Sequence, residues 1–145
     1  MNIKPWFFRS MNLTQNGGIL LLRVSSGILL LMNHGWDKII AGPDKWSGLG
    51  QTGLMSFGIN SFHTFFGFMA AFSESICAIL VIIGLLTRPA AALITITMLV
   101  GANFHISSGR GNPEMALLYG IIFLSIGLLN PGKYSLDQLI FNRDR

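Results

Sequence analysis

Residues 87–114 read TRPAAALITITMLVGANFHISSGRGNPE, and this stretch decides the fold class. From Pro89 to about Ser107 it carries no charged residue. A helix needs about 20 mainly apolar residues to cross about 30 Å of hydrocarbon. Helix punctuation stands on both sides. Thr87-Arg88-Pro89 offers a capping side chain and a helix-initiating proline. Asn112-Pro113-Glu114 repeats the device, with Glu114 well placed in a first turn. A charge-free run of this length between two such boundaries reads as a membrane span.

Three flanking stretches have the same character. One runs over residues 14–36 and is interrupted once, by Arg23; another covers 61–86 and is interrupted once, by Glu74. A third covers 114–130 and closes at Asn130-Pro131-Gly132. The short connections around Thr87–Arg88 and before Pro113 make neighbouring spans antiparallel, and no strand pattern competes. The expected fold is therefore all-α: a single membrane domain over residues 1–145, built as a bundle of four antiparallel transmembrane helices. Residues 37–60 form the one long connection. Gly48, Gly50 and Gly53 suggest a loop at the outer surface, with a short helix over Leu54–Ile59.

Composition agrees. The chain is 51% hydrophobic and only 11% charged, less than half the charge of an average soluble domain. That excludes a disordered chain, a coiled coil and an ordinary soluble enzyme. One cysteine, Cys77, excludes an internal disulfide, covalent haem attachment and a cysteine-built zinc or iron–sulfur site. The formal charge of +4 comes from basic residues scattered singly, which is no nucleic-acid surface. In a membrane chain they set orientation instead. Lys4, Arg9, Arg88, Lys133, Arg143 and Arg145 fall on one side, against Lys38, Lys45 and Arg110 on the other. Both termini are thus expected in the cytoplasm and the 37–60 connection outside, in a multi-pass protein of the cell's inner membrane. Trp6, Trp36, Trp46 and Tyr134 fall at the expected interfaces. Arg23 lies inside the first span, which lacks a signal-peptide cleavage site, so that span is expected to be retained.

The helix directions place the polar side chains. His34, His63, His105 and Glu114 all fall at the outer ends of spans, close to Asp37 and Arg110. Arg23 and His34, and likewise His63 and Glu74, are eleven residues apart, or about 16 Å along a helix. Arg23 and Glu74 should therefore stand at one depth inside the bilayer, where an unpaired charge costs about 2.5–3.5 kcal/mol. A buried Arg23–Glu74 ion pair is the expected solution. His34, His63, His105 and Glu114 form the candidate site for ligand binding or proton transfer, with Phe62, Phe65, Phe66, Phe68 and Phe72 nearby to line a pocket for a flat ring. The same His set with Glu114 or Asp37 leaves a metal site open as an alternative. The opposing reading keeps these groups structural: a clasp, interfacial histidines and a first-turn carboxylate.

The ordered set of residues resembles the DoxX family of small four-helix membrane proteins. The resemblance rests on Arg23, His34-Gly35 and Lys38, then Glu74 leading to Gly84-Leu85-Leu86-Thr87-Arg88. It continues through His105 and Glu114 to Gly132-Lys133-Tyr134-Ser135-Leu136-Asp137. The family is named for a membrane subunit of an archaeal thiosulfate:quinone oxidoreductase, and other members are linked to quinone or catechol stress and to membrane redox complexes. The resemblance implies a redox-linked subunit that binds a quinone or similar ring near the outer face. Such a subunit would sit in the lipid bilayer beside a soluble oxidoreductase or another membrane subunit, or in a homo-oligomer. A non-catalytic scaffold and a small transporter are the alternatives.

Overall fold

The computed structural model of the chain describes the backbone of residues 5–141 and the side chains of residues 14–141. Lys4, Arg143 and Arg145 lie outside the described residues, as do the side chains of Trp6 and Arg9, so these parts of the orientation argument are untouched. Among the described residues every regular element is helical. Helix α1 (Pro5–Leu30) runs through a π-helical turn (Leu31–Gly35) into α2 (Trp36–Ile40). Helix α3 (Pro43–Leu54) ends in a 3₁₀ turn. Helix α4 (His63–Phe72) passes through a second π turn (Ser73–Cys77) into α5 (Ala78–Ile83). Helices α6 (Thr87–Ser108), α7 (Glu114–Leu128) and α8 (Leu136–Phe141) complete the chain.

Among the described residues three helical stretches are long and apolar enough to cross a membrane: Thr14–Ile40, His63–Ile83 and Thr87–Ser108. Glu114–Leu128 is apolar but has 15 residues, or about 22 Å of helix. The core joins Leu30, Ala78, Ala91, Ile94 and Phe123 from four helices. Large apolar side chains such as Leu21, Met32, Ile96, Ile106, Ile121 and Leu128 face outward on those helices, as a lipid-facing surface requires.

The expected loop over 37–60 is instead largely helix. Pro43 occupies the first turn of α3, after Gly42 at φ +83°, and Asp44 complements the helix dipole. The glycines that read as loop are contact surface. A Cβ on Gly50 would collide with the His63 carbonyl, and one on Gly67 with the Trp46 carbonyl. The two missing side chains let α3 and α4 meet backbone to backbone. The Trp46 indole adds a hydrogen bond to the Lys38 carbonyl at 2.8 Å and an edge contact to Phe68 at 5.0 Å.

This packing also corrects the register between the first two spans. A Cβ on Gly35 would strike the backbone of Glu74 and Ser75, so Glu74 lies level with Gly35, twelve positions and about 18 Å beyond Arg23. The start of α4 is occupied by α3 instead of by the end of the first span. Arg23 lies beside Gly84, at the far end of α5.

The start of α6 departs from expectation as well. Leu86 adopts φ +48°, and the Thr87 hydroxyl is buried with no hydrogen-bond partner among the described residues. The cap is Asp137, fifty residues away: its carboxylate accepts from the N–H of Leu86 at 2.7 Å and of Thr87 at 2.9 Å. The Asp137 N–H returns a bond to the Gly84 carbonyl at 2.8 Å. Asn112 does act locally, accepting from the N–H of Glu114 at 2.9 Å.

Two stability predictions follow from these contacts. Gly35→Ala should cost about 2–3 kcal/mol, because backbone must move, whereas Gly18→Ala, with open space around its Cβ, should gain about 0.5–1 kcal/mol. Thermal unfolding in detergent reads both, and equal shifts would refute the close approach. Asp137→Ala should cost about 1–2 kcal/mol, as lost helix caps do, with faster amide exchange at the first turn of α6.

Candidate functional site

A cavity of about 760 Å³ lies between α3, α4 and α6. Its walls are mainly apolar, with Leu54, Phe65, Phe66, Met69, Val100 and Phe104 among them. Six of the lining residues have polar side chains: Lys38, Lys45, Thr52, Glu74, Thr97 and His105. That is the usual make-up of a small-molecule site, a greasy volume with few polar groups.

The two π turns place its charged pair. A π turn inserts one extra residue into a helix and is frequent at functional sites. One such turn carries Glu74 inward and the other precedes Lys38, and they meet where Gly35 has no side chain. Lys38 Nζ then reaches Glu74 Oε2 at 2.5 Å. Glu74 is buried, and Lys38 keeps 24% of its side chain exposed. A carboxylate this deep is tolerable only with a partner, since desolvation costs several kcal/mol per ion.

The expected Arg23–Glu74 pair therefore does not form. Fully buried Arg23 donates instead to the carbonyls of Pro131, at 2.8 Å, and Tyr134, at 2.9 Å. Both carbonyls follow the end of α7, where a cation meets the negative pole of the helix. Equal spacing from the outer histidines suggested equal depth, but depth is set across helices, and there the register is shifted.

The histidines and Glu114 occupy separate places. His105 lines the cavity, its Nδ1 at 2.6 Å from the Arg110 carbonyl. His34 packs edge-on against Tyr119 at 5.8 Å. His63 Nε2 lies 3.2 Å from the Ile59 carbonyl. Exposed Glu114 accepts from Asn112 Nδ2 at 3.2 Å. Among the described residues no three His, Cys, Asp or Glu side chains converge as metal ligands do, so the alternative metal reading gains no geometry. Of the phenylalanines, Phe65 and Phe66 line the cavity, while Phe68 packs on Trp46 and Phe72. Lys38, Thr97 and Phe104 went unrecognised as site residues in the sequence. Lys38 did carry a signal, a lysine one turn beyond His34, but read as an interfacial charge.

Residues 18–106 match the DoxX family. The chain belongs to the DoxX family. Every polar group of the cavity lies within the matched segment. With its apolar outward-facing helices, this DoxX protein is an integral membrane protein. It is also similar to an uncharacterized protein of Haemophilus influenzae, 32% identical over 83 residues, which covers 52% of this chain. The match spans 62% of that relative's own length. No solved structure matches the chain significantly.

The ion pair yields a double-mutant prediction. Lys38→Met alone should destabilise the protein by about 3–5 kcal/mol, because it strands a buried carboxylate. Lys38→Met combined with Glu74→Leu should recover most of that loss. Unfolding of Lys38→Met, Glu74→Leu and the double variant in detergent checks it, and additive losses would show that the pair is not coupled.

Proposed function

We propose that this DoxX protein is a redox-linked membrane subunit that holds a quinone or similar small ring in the cavity between α3, α4 and α6. The observation that carries the reading is the coincidence of an apolar volume of about 760 Å³ with the buried Lys38–Glu74 pair. Ligand pockets run from about 300 to 1,000 Å³, and aromatic walls at Phe65, Phe66 and Phe104 suit a flat ring. His105 is the member of the expected outer set that contributes to this volume, and Lys38 and Glu74 join it. A soluble oxidoreductase or a second membrane subunit would exchange electrons with the ring.

In this reading α7 is the fourth span, its shortness met by local thinning of the bilayer. Both termini face the cytoplasm and the cavity opens toward the outer side of the inner membrane. The family membership and the apolar helices support the membrane setting; the ring and its redox role rest on the cavity.

Titration of the full chain in lipid nanodiscs with a short-chain ubiquinone analogue, followed by tryptophan fluorescence, tests the reading. Saturable binding is expected. Gly101→Phe should weaken it about tenfold or more, because Gly101 lines the cavity and has open space beyond its Cα. Absence of saturable binding by the unaltered protein would leave the scaffold reading in its place.

A further inference from the structure

The polar atoms of the cavity can be sorted by where their protons go. His105 Nδ1 stands 2.6 Å from the Arg110 carbonyl. A carbonyl only accepts, so Nδ1 carries the hydrogen, and in the neutral ring Nε2 keeps a lone pair. Gly111, at φ +74°, makes this posture possible, since a Cβ there would lie 2.8 Å from the His105 ring nitrogen. The Ser73 hydroxyl gives its single proton to the Ala70 carbonyl at 3.0 Å. Its 2.7 Å contact with Thr97 must then use the Thr97 proton, leaving Thr97 with lone pairs only. Thr52 spends its proton on the Gly48 carbonyl at 2.8 Å. Glu74, ion-paired through Oε2, is a carboxylate and has none.

Four of the six polar side chains are thus acceptors toward the cavity. The donors are the two ammonium groups: Lys38 commits one of its three N–H bonds to Glu74, and Lys45 is exposed. A fully oxidised ring, whose oxygens only accept, brings no proton to the free lone pairs of His105 Nε2, Thr97 and Glu74. A ring bearing hydroxyl groups satisfies them. Two lysines against one glutamate also disfavour a cationic donor.

Building on the ring-binding reading of this cavity, we infer that its ligand is a neutral aryl alcohol, a hydroquinone or phenol, bound as a hydrogen-bond donor. His105 Nε2 and the Thr97 hydroxyl oxygen are the specificity-determining acceptors.

Three probes of one skeleton test it in nanodiscs holding the full chain, under anaerobic conditions: a short-chain ubiquinol analogue, its oxidised quinone and its di-O-methyl ether. The hydroquinone should bind about tenfold tighter than either of the others, the size of one well-made hydrogen bond. Thr97→Val and His105→Phe should each reduce that preference to about threefold or less. Nitrogen-15 spectra of the imidazoles should show His105 protonated at Nδ1 and bare at Nε2. Equal or tighter binding of the quinone, a preference that survives both substitutions, or a His105 protonated at Nε2 would overturn the inference. If all three probes bind equally, the cavity holds rings and only the donor rule fails. If none binds, the ring-binding reading falls and the donor rule with it.

Discussion

The architecture depends on one close approach of main chain to main chain. Gly35, at the end of the first π turn, lies against the backbone of Glu74 and Ser75 in the second. Any side chain at position 35 would hold the two helices apart. Because they touch there, Lys38 falls within reach of Glu74, the register of the first two spans is fixed, and α3 is left to cover the start of α4. The cavity is the space that remains between this α3–α4 pair and α6. It is thus a by-product of where two helices were allowed to meet.

Arg23 and Glu74 solve one problem in opposite ways. Each is a buried charge on an apolar helix, where burial without a partner is costly. Glu74 takes an opposite charge and in doing so places an ion pair at the cavity wall. Arg23 takes, among the described residues, two carbonyls beyond the end of α7, and so ties the first span to the tail of the chain. One arrangement leaves polar atoms facing a space; the other encloses them. The first is where chemistry has room to occur.

What could be read from the sequence follows the range of the interactions concerned. Long apolar runs and the turn chemistry at Asn112 depend on neighbours along the chain, and they marked the helices well. The level at which two helices meet does not. The eleven-residue spacings from His34 to Arg23 and from His63 to Glu74 are true within each helix, yet they carry no information across the gap between helices. Gly50 was misleading for a related reason: glycine in a loop and glycine in a tight helix contact look alike until the partner, here the His63 carbonyl, is known. The cap on α6 comes from Asp137, and no local window contains both. Of the candidate site, His105, Glu74 and two phenylalanines were legible as polar or aromatic exceptions in apolar surroundings. Lys38 was hidden among ordinary interfacial charges.

The link between Asp137 and the start of α6 has a consequence for biogenesis. The helix it caps is translated fifty residues earlier, and the carbonyls that receive Arg23 come more than a hundred residues after it. Until the ribosome has delivered the segment from Pro131 to Asp137, the first span holds a guanidinium without these acceptors, and the third begins with bare amides. The bundle is therefore closed from its last residues backward. Insertion of the spans and completion of the fold are thus separable in time.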